Sequence, residues 1–298
     1  MRLIYVDGQL VDWESATAHF WSEVAIRGVS AFEGLICPWI DDLHHPVSLS
    51  QHARRLDRSC SLIGIGNPMK RVDLLTLLTD ASKHFRGRSF YARPTVFVKS
   101  GRNGSSSDVG HFMGVFDVDT AYRPDVQLAA LAPHPRHGGV IPPDAKTGGS
   151  YLDFRVLDER LGRDDCTVNL YTDRDGYLTE ADGSGLLLVD EDGVWAPPTS
   201  GRALDSISRR ILLDVIGREP DVVIHHQHTH RAQAHGALLL TAGTLSGVRL
   251  ARLAEGRAEI EAGHIEFGRR VQAEYRRTLF EQVTARYHTT LSEQEFNV

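Results

Sequence analysis

Lysine is scarce in this sequence, so its placement is informative. Only Lys70, Lys83, Lys99 and Lys146 occur in 298 residues, and positive charge is otherwise carried by arginine. Lys146 opens the run Lys146-Thr-Gly-Gly-Ser-Tyr151, in which two glycines permit close backbone approach and an aromatic follows at i+5. On that run alone, a functional amine and a surface loop entering a helix are both open. Other side chains capable of chemistry are Arg55, one helical turn after His52, and the pair Tyr91 and Arg93, alternate residues on one face of a strand. Glu180 closes a short β-rich run. Arg55 is either an anion ligand or a solvated guanidinium, and Glu180 either a functional or a surface carboxylate. His225, His226, His228, His230 and His235 form a histidine-rich stretch with no cysteine or carboxylate at ligand spacing. They are expected to be loop histidines, and no metal site is expected.

Composition points to small-molecule chemistry. With 41% hydrophobic and 24% charged residues the chain is of ordinary globular type, long enough for two domains with cores of their own. A formal net charge of −6 is the wrong sign for a nucleic-acid groove or an acidic membrane surface. Cys37, Cys60 and Cys166 are odd in number and far apart, which gives neither a disulfide framework nor a paired metal ligand and fits a cytoplasmic location. No uncharged apolar run approaches the roughly 20 residues of a membrane helix, and the first residues lack the pattern of an export signal.

The elements that must position these residues follow from periodicity. Leu3–Val6 and Gln9–Val11 around Asp7-Gly8 read as a hairpin. An apolar stretch follows Gly28, and Leu49, His52, Leu56, Ser59/Cys60 and Ile63 have helical spacing. Met69–Phe85 reads as a second helix, and Phe90–Lys99 and Phe112–Val118 as strands separated by a polar loop beginning at Gly101. Ala132–Pro143, with four prolines and two glycines, reads as an interdomain connection. Beyond it come a helix over Tyr151–Leu161 and short strands at Thr167–Tyr171, Tyr177–Glu180 and Leu186–Val189. A helix over Ile207–Ile216 is served at its start by Ser206 or Ser208. Strands at Val222–Ile224 and Ala237–Thr241 and a last helix over Gly268–Tyr287 complete the chain.

Six segments in this order carry a resemblance: Gly28-Val-Ser-Ala-Phe-Glu-Gly34, His52-Ala-Arg-Arg-Leu-Asp-Arg-Ser59, Lys146-Thr-Gly-Gly-Ser-Tyr151, Gly176-Tyr-Leu-Thr-Glu180, Leu204-Asp-Ser-Ile-Ser-Arg209 and Thr241-Ala-Gly-Thr244. From about Tyr5 to the last helix the chain resembles the fold-type-IV pyridoxal-phosphate enzymes, in particular the branched-chain amino acid aminotransferases. The resemblance implies an α/β chain of α+β two-domain type. A smaller N-terminal α+β domain over residues 1–131 and a loop over 132–143 would precede a larger cofactor-binding domain over 144–298, with pyridoxal 5'-phosphate between the domains. It also implies a homodimer whose neighbouring subunit completes the pocket. Lys146 would form the Schiff base with the cofactor aldehyde and carry the proton at the substrate Cα. Glu180 would pair with the pyridine nitrogen, Tyr151 with the phenolic oxygen, and Arg55, Ile207, Ser208 and Thr244 with the phosphate, next to Leu204. Phe32, Tyr91 and Arg93 would meet the substrate. The activity implied is transfer of an amino group between an amino acid, branched-chain or related and of L form, and a 2-oxo acid such as 2-oxoglutarate.

Departures from the family pattern fall at the substrate side. Ile36 stands where the branched-chain enzymes usually carry an arginine, and Arg27 replaces the aromatic before Gly28. Arg27 is expected either to enter the pocket and alter which carboxylate is accepted, or to point to solvent. Gly185 replaces a common asparagine, and Asp205-Ser206 replaces Pro-Gly before the phosphate-binding turn. Two other readings remain at this point. One is a lyase resembling aminodeoxychorismate lyase, with the same lysine and cofactor, and the other is a non-catalytic ligand-binding relative; retention of both Lys146 and Glu180 speaks against the second.

Overall fold

Arg2–Val6 (β1) and Gln9–Val11 (β2) form the hairpin, and Asp7 (φ 46°) and Gly8 (φ 87°) both adopt the positive φ that a two-residue turn between twisted strands requires. The computed structural model describes all residues except 101–107, 119–124, 134, 136–140, 153, 157–165, 256–258 and 292–298. The polar loop beginning at Gly101 and most of the helix expected over Tyr151–Leu161 lie outside the described residues, as does part of the connection at Ala132–Pro143. Two compact units divide the chain. The first comprises Met1–Thr120, Ala145–Ser150 and Thr278–Val298; the second comprises Ala121–Asp144 and Tyr151–Arg277.

In the first unit a short helix, Glu23–Arg27 (α1), is capped by Ser22 and closed by Gly28 in the left-handed region at φ 67°. The apolar stretch after it is two strands, Ser30–Phe32 (β3) and Leu35–Cys37 (β4), and a small hairpin follows at Trp39–Ile40 (β5) and Leu43–His44 (β6). The helices Leu49–Leu62 (α2) and Arg71–His84 (α3) lie where leucine spacing predicts them. Phe90–Val98 (β7) and Val109–Asp117 (β8) complete a sheet of order β2-β1-β8-β7-β3, with β4 also paired to β7. Leu49, Leu56 and Cys60 of α2 and Leu74, Leu78 and Ala81 of α3 share one core with Leu35, Phe90, Ala92, Val96, Met113 and Val115 of the sheet. On β7, Ala92 is buried while Tyr91 and Arg93 face the other way, as alternation requires.

The second unit is built on an eight-stranded mixed sheet. Its strands are Val126–Leu131 (β9), Cys166–Thr172 (β10), Leu178–Ala181 (β11), Gly185–Asp190 (β12), Gly193–Trp195 (β13), Ile224–His225 (β14), Leu238–Gly243 (β15) and Gly247–Leu253 (β16), in the order β11-β10-β9-β16-β15-β12-β13-β14. Ile207–Ile216 (α4) buries Ile207, Ile211, Leu212, Val215 and Ile216 and packs on β12 and β15. The last helix runs over Ala262–Phe280 (α5) rather than Gly268–Tyr287. It ends early because Tyr287 and His288 are used elsewhere: Tyr287 accepts from the Ser48 N–H, and His288 bridges Val47. Among the described residues no helix is long and apolar enough to cross a membrane.

Ser48, the residue that starts α2, sits in the left-handed region at φ 52°, and its buried hydroxyl has no hydrogen-bond partner. A non-glycine residue there is strained by ~1–2 kcal/mol, and glycine's larger unfolded-state entropy offsets ~0.4–1 kcal/mol of the relief. Ser48→Gly is therefore expected to raise stability by about 0.5–1 kcal/mol, read as a higher denaturation midpoint. A lower midpoint would mean that the Ser48 side chain contributes a contact that its geometry does not explain.

Candidate active site

Lys146 belongs to the first unit, and its backbone is tied there at several points. Residues 146–148 run along β3: Phe32 N–H donates to Lys146 O at 3.1 Å, Gly148 N–H donates to Ser30 O at 3.1 Å, and Ala31 bridges Thr147. Ser59 of α2 accepts the Lys146 N–H at 3.0 Å. Thr147 and Ser150 close the turn through their hydroxyls, 2.8 Å apart. The residue is buried, and its Nζ stands 4.9 Å from the centroid of the Phe32 ring. The Arg93 guanidinium lies over the same ring at 4.1 Å, so one aromatic meets two cations. Tyr91 covers Gly34, where any Cβ would run into the tyrosine hydroxyl. The other three lysines are at the surface and paired with aspartates: Lys70 with Asp57 at 3.0 Å, Lys83 with Asp80 at 3.2 Å, and Lys99 with Asp7 at 2.6 Å.

Arg55 is held by an acid to which the sequence motifs assign no role. Glu33 is fully buried and takes Arg55 Nε at 2.6 Å and Nη2 at 2.7 Å, while its Oε2 lies 2.7 Å from His52 Nδ1. The Arg55 charge and the bonds from Arg55 and His52 override the burial that opposes them and hold the Glu33 carboxyl far below the usual range. Burial lowers the His52 pKa; Glu33 opposes the shift, while the Arg55 and Lys146 charges add to it. A lone acid within an apolar run, and a histidine three residues before an arginine on a helix, are the signals by which sequence could have found this group. Ser59 closes the motif that begins at His52, but nothing local assigns it a role.

In the second unit, Ser206 caps α4 by accepting the Arg209 N–H at 3.2 Å. Ile207 and Ser208 form the first turn, and Ser208 Oγ lies 3.4 Å from Thr244 Oγ1. Leu204 is half-buried just before the cap. Arg209 is buried, donating Nε to Leu186 O at 3.2 Å and Nη2 to Pro197 O at 2.6 Å. Burial brings its pKa down to about 10, with Asp205 working the other way, so it stays charged at neutral pH. Its side chain fills the space beside Gly185: a Cβ at 185 would lie 2.5 Å from the Arg209 Cβ. Asp205 pairs with Arg210 at 3.4 Å. Glu180 on β11 is buried, and the Tyr151 hydroxyl stands beside the turn that follows that strand, 3.1 Å from where a Cβ on Gly183 would be.

Arg27 is exposed and forms an ion pair with Glu23 one turn earlier on α1, which satisfies its charge within the helix. Ile36 is buried in β4 opposite Tyr91. The histidine stretch is divided among aromatic contacts. His225 stacks on Trp195 at 4.3 Å, and His228 and His230 flank Tyr177.

Residues 32–252, well over half of the chain, match the model of the family described as amino-transferase class IV. The chain is a class IV aminotransferase. It is 26% identical over 276 residues to the branched-chain-amino-acid aminotransferase of Escherichia coli (strain K12), covering 85% of each chain. To that of Pseudomonas aeruginosa it is 24% identical over 223 residues, 71% of each. Among solved structures, the Thermoproteus uzoniensis branched-chain aminotransferase with norvaline superposes with a TM-score of 0.84 at 19% identity, covering 97% of this chain and 99% of that one. A branched-chain amino acid aminotransferase complexed with N-(5'-phosphopyridoxyl)-L-glutamate gives 0.87 at 19%, covering 97% and 98%. These structural likenesses speak for the fold.

Pyridoxal phosphate is the cofactor of this aminotransferase, and each unit taken by itself holds groups of a kind that suits it. A helix N-terminus with two hydroxyls converging on it suits a phosphate, a buried carboxylate suits a protonated ring nitrogen, and a buried amine over an aromatic suits the aldehyde end.

Acid should act through Glu33. Its folded pKa lies below the ordinary carboxylate value of about 4.3, so its contribution to stability is complete above that value and is lost as pH falls below it. The stability lead of the parent protein over Glu33→Gln is expected to be constant from pH 8 to about 5 and to shrink below about 4. Denaturant titrations of both proteins across pH measure it. A lead unchanged at low pH would show that the carboxylate is not held in its charged form.

Proposed function

We propose that this aminotransferase moves an amino group between a branched-chain or related L-amino acid and a 2-oxo acid such as 2-oxoglutarate, acting as a homodimer in the cytoplasm. The observation that carries the reading is Lys146, a buried amine on a backbone pinned by β3 and Ser59. The curated relatives, named branched-chain-amino-acid aminotransferases, support the substrate class. Cys37 and Cys60, buried and free of disulfides, agree with a reducing compartment.

When bound, the cofactor supplies an electron sink that makes the Cα–H of an amino acid acidic enough to lose. Lys146 would hold its aldehyde end and, once displaced by the substrate amine, would take the Cα proton on Nζ and pass it to the carbon of the former aldehyde, the proton shift that amino transfer requires. Burial against Phe32 keeps bulk water from that amine. Glu180 would hold the ring nitrogen in its protonated form, and Tyr151 the phenolic oxygen. Arg55, the Ile207 and Ser208 amides and Thr244 would bind the phosphate, with Leu204 lining the approach. Phe32 offers an apolar wall to a branched side chain, while Arg93 above it and Tyr91 offer polar groups to a carboxylate. With Ile36 buried and Arg27 on Glu23, the carboxylate is left to Arg93.

The reaction is tested by supplying leucine, isoleucine, valine, aromatic, acidic and D-amino acids singly with 2-oxoglutarate and measuring glutamate formed. Branched-chain donors are expected to lead, and failure of the whole panel would remove the transaminase reading. Lys146→Ala is expected to lower kcat by about 10³-fold or more, as loss of a positioned proton carrier does. Glu180→Gln is expected to lower kcat far more than it weakens cofactor binding, because a neutral amide still accepts a hydrogen bond but no longer stabilises a protonated ring. Equal losses in the two would make Glu180 a binding residue only.

A further inference from the structure

Glu33 is an acid placed where charge is costly, and it directs both oxygens at one helix. α2 presents His52 and Arg55, three residues apart, on the face that meets it. Arg55 Nε and Nη2 engage the two carboxylate oxygens side by side, a fork that fixes the plane of the guanidinium. His52 Nδ1 stands 2.7 Å from Oε2, so the carboxylate cannot turn without losing that partner as well. All three side chains are at least nine-tenths buried.

We propose that Glu33 and His52 are positioning residues that fix the Arg55 guanidinium in the orientation in which it takes the cofactor's phosphate. The inference rests on the reading of Arg55 as a phosphate ligand. An ionised carboxylate can only accept, so His52 Nδ1 carries the proton in its bond to Glu33. Two physical accounts of Glu33 then predict opposite signs. By charge alone, a carboxylate beside the arginine weakens the field that attracts a phosphate dianion, and its removal should tighten binding. By orientation, removing it frees the arginine to rotate, and binding should weaken. A glutamine at 33 can accept only one of the two Arg55 N–H groups, and its own amide meets the other donor.

The test measures binding of pyridoxal phosphate and of pyridoxal, which lacks the phosphate, to the cofactor-free protein by quenching of tryptophan fluorescence. Glu33→Gln is expected to weaken pyridoxal phosphate by about tenfold, the scale of a hydrogen bond to a charged group, while pyridoxal changes by less than about twofold. His52→Leu, which leaves the Glu33 charge in place, is expected to shift the ratio in the same direction by less, and His52→Asn, which restores an N–H donor at the Nδ1 position, to recover it. If Glu33→Gln does not fold, the two His52 variants decide. Equal weakening of both ligands would reduce the group to a structural role, and tighter binding of pyridoxal phosphate would favour the charge account; either overturns the proposal. An Arg55→Ala variant that leaves the ratio of the two affinities at the parent value would instead remove the phosphate reading of Arg55 itself.

Discussion

The fold of the first unit turns on an unsatisfied strand edge. β3 pairs with β7 on one side only, and its outer N–H and C=O groups are met by the segment from Lys146 to Gly148, which returns from far along the chain. A β-bridge made this way fixes the backbone of Lys146 by the same hydrogen bonds that keep an edge strand from being left open. Ser59 adds a third point from the helix behind. The backbone that carries the amine is thus fixed by the strand and by the helix behind it, and the amine itself lies against Phe32.

The same strand carries the second constraint. Where β3 gives way to β4, Glu33 is buried and Gly34 allows the Tyr91 ring to lie against the backbone. One interruption of an apolar run therefore serves two neighbours, an arginine on α2 and a tyrosine on β7. In the second unit Arg209 has a comparable place. It is a buried cation bonded to two carbonyls, and it ties the first turn of α4 to β12 while occupying the space that a side chain at Gly185 would need.

Much of this is legible from residue order. The spacing of Leu49, His52, Leu56 and Cys60 on α2, the alternation of Tyr91 and Arg93 on β7 and the serine before Ile207 depend on local geometry, which sequence expresses directly. β9 and β16 are not apparent from sequence because Gln127, Arg249 and Arg252 interrupt their apolar residues, and the pairing of β9 with β16 joins segments distant in the chain. The early end of α5 has a similar cause, since Tyr287 and His288 are claimed by Ser48 and Val47. Sequence leaves Arg27 between pocket and solvent because the choice depends on its partner Glu23, itself buried at the start of a five-residue helix. The role of Ser59 as acceptor for Lys146 is a contact across 87 positions, and no window of sequence contains it.

The scarcity of lysine has a chemical meaning beyond charge. An aldehyde condenses with amines and not with guanidinium groups, which stay protonated and delocalised. A surface furnished with arginine, and with its three outer lysines each held by an aspartate, offers an aldehyde cofactor few competing amines. On the proposed reading of Lys146, selectivity for that amine would begin with what the rest of the surface leaves out.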